Sequence, residues 1–488
     1  MSSDSPPDSS APSRSGTNLK IALTVALVAF LGACWLLFNW NAARELAAAK
    51  AEWNASGPAL KFGEKPQDSP VVPDDKNILR APVFSDWNRP TPGTSANPAW
   101  EQWAKRIEAS GKEPDPFTCD LDRLFRPVPG KAGKKDTPAA LADAPGRSRE
   151  AVLIAALERD LPELKTIPAE FAARPEISLG FRYTTARALW SALPPSYRPM
   201  KNSALVLAPY SVAHARAGDP HIAARVVLTG LRYENALLHA YTDTCSSFAR
   251  LHFEKATLRP LHAGLLRRAW SEAELRDIQH ALLQIDFPRM ASRNSANGMV
   301  VIIDMIENME ARLPNSVDAW AENAVLFATP KGLFDIHHAQ AIRRMRDTIR
   351  DGIHSDGAVN VAAFKTHAAA ITESDLPWNF AAQFGSCPPG IISSAARVQT
   401  YRHCALLACA IERHRLATGK LPAALADIPA AILKNIPVGT TTALPPSYAL
   451  STEGGYTLTY AREKFCDDSG NELPSPGDVV WSMPASKN

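Results

Sequence analysis

Residues 21–40 read IALTVALVAFLGACWLLFNW. Ahead of Asn39 the run carries no charge, and Thr24 is its one strongly polar side chain. Twenty residues at helical rise span about 30 Å, the thickness of a bilayer core. Trp35 and Trp40 lie towards one end, where indole rings favour the headgroup region. The stretch therefore predicts one transmembrane helix. A buried core helix can share this composition, but a helix apolar all round and next to a polar tail has nothing to bury it. Leu31-Gly32-Ala33-Cys34 also has the form of a bacterial lipobox, in which Cys34 would carry lipid. Trp35-Leu36-Leu37-Phe38 follows it, where a mature lipoprotein turns polar. Length and flanks favour the anchor over the lipoprotein, and over a cleaved secretory segment, whose apolar run is about 7 to 15 residues.

Working outward, residues 1–20 are rich in Ser, Pro and Asp and read as a disordered tail. Arg14 and Lys20 flank the anchor on one side, Arg44 and Lys50 on the other, so the count of positive charges sets no orientation. Ala42–Trp53 has helical composition and is expected to continue the anchor helix into solvent. The chain holds 40 prolines, above the usual ~5% of residues. Many fall in residues 54–98 and 126–148, which read as stiff, extended spacer. Gly130-Lys131-Ala132-Gly133-Lys134-Lys135-Asp136 touches on a phosphate-binding loop but lacks its glycine spacing and closing Ser or Thr, so it reads as linker.

From Glu150 onward the pattern is helical. Leu153, Leu157, Leu161 and Leu164 are spaced 4, 4 and 3, with Pro162 as a kink. Val227, Leu231, Leu238, Tyr241, Cys245 and Phe248 form a second apolar stripe. Ser271 and Glu274 make a capping box, with Trp270 placed to staple onto Leu275. Further helices are expected near 317–328 and 338–350. Residues 395–418 read as one long amphipathic helix with Cys404, Leu407, Ala408 and Ile411 on one face, ended by Gly419. Strand-like runs follow at 447–451, 456–461 and 478–483, with Gly454-Gly455 as a hairpin turn.

The expected fold is mainly α, in five parts: a tail (1–20), a transmembrane anchor (21–40), a juxtamembrane helix with Pro-rich spacer (41–149), a helical domain (150–390) and a small α+β module of one long helix and a short antiparallel sheet (391–488). Lys and Arg total 53 against 50 Asp and Glu. That balance gives no basic footprint for nucleic acid.

Three stretches carry a resemblance: LLACAIERHRLATGKLPAALADIPAAI (406–432), SYALSTEGGYTLTYA (447–461) and CDDSGNELPSPGDVVW (466–481). Together they resemble the soluble head of the major pseudopilins of type II secretion. The anchor, VVPDDKN (71–77) and RPLHAGLLRRAWSEAELRDIQHALLQIDF (259–287) resemble a family of bacterial membrane-anchored proteins; that likeness implies no activity. A pseudopilin joins its apolar helix directly to its head, whereas some 350 residues intervene here. A cut after Gly16 would also place Ile21 where that family has glutamate. The chain is therefore expected to share the head and not the role of a pilus subunit. The pseudopilin resemblance implies a calcium loop with Asp467, Asp468, Asn471 and Asp478 as ligands. Hard cations take six to eight such oxygens. A solvated acidic turn explains the same residues, because Asp, Ser, Gly and Asn are common turn formers.

No His-Glu-x-x-His, Gly-x-Ser-x-Gly or Cys-x-x-Cys is present. Ser386 and Cys387 lie in a turn-rich loop with no base assignable to them. Adjacent His337 and His338 point to different sides of a helix, and His239 with His252, or His403 with His414, stand too far apart on a helix to share a metal. Apart from Cys34, six cysteines could pair or stay as buried thiols; Cys404 and Cys409 should not pair with each other. The leading expectation is a non-enzymatic interaction or structural protein of the bacterial envelope, anchored in the cytoplasmic membrane with its bulk outside. Its partners would be the bilayer, through residues 21–40, and other envelope proteins. An extracytoplasmic hydrolase with a site assembled from distant residues is the second reading, and a solute-binding accessory the third.

Overall fold

The computed structural model describes residues 14–56, 60–62, 71–81, 98–110, 117, 119–126, 128–129, 135–136, 146–176, 197–240, 257–268, 270–310, 331–354, 357–364, 366, 389–461 and 478–484. It is mainly helical, with an N-terminal apolar helix and a three-stranded antiparallel sheet near its C-terminal end. The first helix, α1, runs unbroken over Arg14–Ser56. Its apolar half is exposed from Leu19 to Leu37, and it is long and apolar enough to cross a membrane.

Beyond Phe38 the same helix changes character. Ala42, Leu46, Ala49 and Trp53 are buried, at spacings of 4, 3 and 4 that form one helical stripe. The expectation that this part runs free into solvent is overturned: the stripe packs on α11 (Lys331–Gly352). Ion pairs flank the apolar contact. Lys50 meets Glu307 at 2.5 Å, Arg343 meets Glu45 at 2.8 Å, and Arg346 meets Glu52 at 2.5 Å. The Arg346 guanidinium, helped by Arg343, holds the Glu52 carboxyl below its usual range.

The stretch 54–98 is not wholly a spacer either. Asn77, Ile78 and Leu79 are buried. A 3₁₀ turn covers Ile78–Arg80, capped by Asn77, whose Oδ1 accepts from the Leu79 N–H at 3.1 Å. The Ile78 N–H donates to the Glu176 carbonyl at 2.9 Å. Apolar side chains at 78 and 79 explain why this segment leaves solvent. Next come α2 (Pro98–Ala109), with Trp100 and Trp103 buried, and the single turn α3 (Asp122–Phe125). Val128–Pro129 (β1) pairs antiparallel with Lys135–Asp136 (β2). Lys135 and Asp136, the end of the lysine-glycine run, lie in β2, not in a helix.

The helical middle contains α4 (Arg149–Asp160), α5 (Ile167–Ala173), α6 (Tyr197–Ala217), α7 (Pro220–Ala240), α8 (257–267), α9 (Glu272–Leu283) and α10 (Phe287–Glu310). Pro162 acts as expected: α4 stops at Asp160 and a 3₁₀ turn follows over Pro162–Lys165. The capping box at α9 is present, with the Glu274 N–H donating to Ser271 Oγ and Glu274 Oε2 accepting from the Ser271 N–H at 2.9 Å. The expected helix near 317–328 lies outside the described residues.

The long helix α12 spans Pro389–Thr418, longer than 395–418. It is not amphipathic. Arg402 and every residue from Cys404 to Arg413 are buried, because α9 and α10 pack against it. Gly419, at φ 75°, ends it by donating to the Arg415 carbonyl. The sheet order is β3 (Ser447–Leu450), β4 (Tyr456–Tyr460), β5 (Val479–Met483). Tyr456, Leu458 and Tyr460 pair with Met483, Trp481 and Val479, so both strands present their buried sides together. Gly454 takes the left-handed φ of 85° in the hairpin turn. Trp481 stacks edge-on against Phe117 and His262, with ring centroids 4.6 and 4.8 Å away. One hydrophobic cluster thus runs from Leu46 to Met483.

Candidate functional site

Helices α7 and α9 lie side by side, and a groove of about 310 Å³ opens between them. Leu228, Leu231 and Arg232 line it from α7; Asp277, His280, Ala281 and Gln284 line it from α9. The two sets follow i, i+3, i+4 and i, i+3, i+4, i+7 spacing, so each is one helix face. Leu231 is fully buried at the floor, whereas Arg232, Asp277, His280 and Gln284 are exposed at the rim. His280 Nε2 and the Gln284 amide nitrogen are 3.3 Å apart. A cation, a carboxylate, an imidazole and an amide therefore stand over an apolar floor. The volume is at the small end of ligand sites, about 300–1,000 Å³.

The α9 wall is held by α12 at both ends. At its C-terminal end Arg402, 1% exposed, donates from Nε to the Leu282 carbonyl at 2.6 Å and from Nη2 to the Ala281 carbonyl at 2.8 Å. A positive guanidinium on the last carbonyls of a helix satisfies orphan acceptors and opposes the dipole. Arg402 Nη1 also meets Glu234 of α7 at 3.3 Å, and Thr257 donates to the other Glu234 oxygen at 3.1 Å. At the opposite end Arg413 reaches Glu272 at 2.7 Å and the Gln279 side chain at 2.8 Å. Eleven residues separate the two arginines, about 17 Å along α12, which matches the length of the antiparallel α9. The walls of the groove are thus tied to α12 by one fully buried ion pair and one half-exposed pair.

A second cluster lies at the seam of α1 and α11. His338 is 2% exposed, and among the described residues neither ring nitrogen has a hydrogen-bond partner. Burial, followed by the nearby Lys50 and Lys331 charges, lowers its pKa to about 4. His337 is buried as well, with its pKa lowered by burial. The two adjacent imidazoles are therefore both enclosed. His403 likewise titrates at about 4, burial outweighing the Val438 carbonyl at 3.0 Å from Nδ1. Cys409 is a buried free thiol, pushed up to about 12 by burial.

Of the acidic loop, Asp467, Asp468 and Asn471 lie outside the described residues; Asp478 is exposed just ahead of β5. Ser386, Cys387 and His252 also lie outside them, as does the side chain of His239. Among the described residues, no three His, Cys, Asp or Glu side chains gather as a metal site needs. Sequence reading missed Arg232, Asp277, His280, Glu234, Arg402 and Arg413. The one available signal was that Arg402 and Arg413 bracket the apolar run Cys404–Ile411, since a buried arginine demands a partner. Comparison with protein families, characterised proteins and solved structures finds no match for this chain.

Proposed function

We propose that this chain is a single-pass protein of the bacterial cytoplasmic membrane, with its bulk outside, acting as a non-enzymatic interaction or structural protein of the envelope. The observation that carries this reading is the continuity of α1. The helix that exposes its apolar stretch from Leu19 to Leu37 goes on, without a break, as one wall of the body's own core. A tethered enzyme needs only a flexible link to its anchor; a seam closed by apolar packing and ion pairs fixes the body's pose against the membrane. The pseudopilin resemblance at the C-terminal end supports an assembly role in the same direction. The test is complementation of a deletion strain by a variant whose segment 1–38 is replaced by a cleaved secretory signal. The anchored role predicts loss of complementation although the body is exported. Full rescue by the released body would refute it. Externally added protease on spheroplasts checks orientation: the body should be degraded without lysis.

The α7–α9 groove favours solute binding as the second reading. Its support is that Arg232, Asp277 and His280 line one groove with Leu231. A small solute carrying both charge signs should raise the melting temperature of the parent and not of Arg232→Ala. No shift with amino acids or other zwitterions at 10 mM would set this reading aside.

A further inference from the structure

We infer that the body rests directly on the bilayer surface, with the start of α11 and the Trp40–Arg44 pair at the depth of the phospholipid headgroups. The inference rests on α1 crossing the membrane and adds where the rest of the chain then lies.

Burial along α1 sets the depth. Residues from Leu19 to Leu37 are exposed, Phe38 and Asn39 are half-buried, and Ala42 is fully enclosed. Nineteen exposed residues rise about 29 Å, which is the thickness of the hydrocarbon core. That leaves no exposed turn of helix to hold the body off. Contact begins at the beginning of α11: the Gly332 N–H donates to Asn39 Oδ1 at 2.8 Å. The glycine is needed there, since a Cβ at 332 would press on Asn39 and on the Phe38 ring.

The two helices then run in the same direction. Asn39 meets Gly332, Glu45 meets Arg343, and Glu52 meets Arg346. So α11 starts at the membrane end of the seam and leaves the membrane along α1. From Lys331 to Arg350 it rises about 28 Å.

The side chains at the boundary suit phospholipid headgroups. Trp40 is 57% exposed, and indole rings favour the headgroup layer. Arg44 is exposed, its guanidinium stacked on the Trp40 ring at 4.8 Å, and it makes no ion pair among the described residues. A guanidinium in that position can take a lipid phosphate through two parallel hydrogen bonds. Lys331 keeps its side chain largely exposed while its ammonium meets Asp335 at 3.0 Å.

The test places a benzophenone amino acid at Leu27, Trp40, Lys331 or Arg350 of the full chain, reconstituted in phospholipid nanodiscs and irradiated. All four side chains are exposed; because Lys331 pairs with the buried Asp335, a thermal melt matching the parent is required of each probe variant before irradiation. Lipid adducts are expected at Leu27, Trp40 and Lys331, with Arg350 at background. Adducts at Leu27 without any at Lys331 would overturn the inference and leave the anchor standing. Equal adducts at Lys331 and Arg350 would also overturn it, because the body would then lie along the surface. A Leu27 probe without adducts would instead remove the premise that α1 crosses the bilayer.

Discussion

Replacing Arg402 by methionine should be among the most damaging single changes to this protein. The side chain is 1% exposed and Glu234 is 0% exposed. Removing the guanidinium leaves a carboxylate in the core with the Thr257 hydroxyl at 3.1 Å as a remaining donor. It also strips the Ala281 and Leu282 carbonyls of their arginine donors. Breaking one partner of a buried ion pair costs about 3–5 kcal/mol, because the other charge is stranded. Glu234→Leu should also destabilise, because it takes a carboxylate away from a guanidinium that is 1% exposed. The double variant Arg402→Met, Glu234→Leu removes both charges, and apolar replacement of a buried pair is often close to neutral. It should therefore be more stable than either single variant, by about 2 kcal/mol or more. Equilibrium denaturation in detergent micelles, followed by far-ultraviolet circular dichroism, measures all four proteins. If both single variants lose under about 1 kcal/mol, the pair is solvated and the clamp on α9 does not exist.

Two further outcomes follow from the same structure, and a third from the pseudopilin resemblance. His338 has its pKa lowered to about 4, against about 6.5 when unfolded, so the unfolded chain binds the extra proton. Its contribution is fully present above pH 6.5 and is lost as pH falls towards 4, by about 3 kcal/mol at most; His338→Leu should flatten the stability profile in that window, and an unchanged slope would refute the burial of this imidazole. Gly264→Ala should destabilise by about 1–3 kcal/mol, because a Cβ there falls inside the Trp270 ring, which is held by a 2.8 Å hydrogen bond to the Pro220 carbonyl; a thermal melt matching the parent would show that Trp270 packs elsewhere. A calcium loop at Asp467, Asp468, Asn471 and Asp478 with millimolar affinity should add about 1.4 kcal/mol at ~10 mM calcium over EDTA; a melting temperature indifferent to calcium, or a shift that survives Asp468→Ala, would remove these residues as ligands.

Signals within about ten residues of one another were legible in the chain. Ser271 and Glu274 announce the start of α9 because both halves of the capping box are local. Gly419 and Gly454 mark a helix end and a turn because each sits at positive φ. Period-two burial in β4 and β5 likewise needs only neighbours. What stayed hidden depends on remote partners. The stripe Ala42, Leu46, Ala49 and Trp53 could be seen as one helix face, but its partner α11 lies nearly 300 residues downstream. Ile78 and Leu79 sit in a proline-rich stretch whose composition outweighed two apolar side chains. Arg402 stands in a helix that looks amphipathic until α9 and α10 close over its other side. The groove was the least legible feature, since Arg232, Asp277 and His280 look like ordinary solvated positions until α7 and α9 are set side by side.

On the proposed reading α1 is both a membrane anchor and a structural wall of the body. Alkaline carbonate extraction of isolated membranes tests it most directly, comparing the full chain with Arg44→Ala and with a variant carrying Leu23→Lys, Leu27→Lys and Leu31→Lys. The full chain and Arg44→Ala should stay in the pellet, since both keep the exposed apolar segment intact. The triple lysine variant should pass to the supernatant, because each lysine at mid-bilayer costs about 2.5–3.5 kcal/mol on insertion scales. Release of the unmodified chain by carbonate would contradict the account.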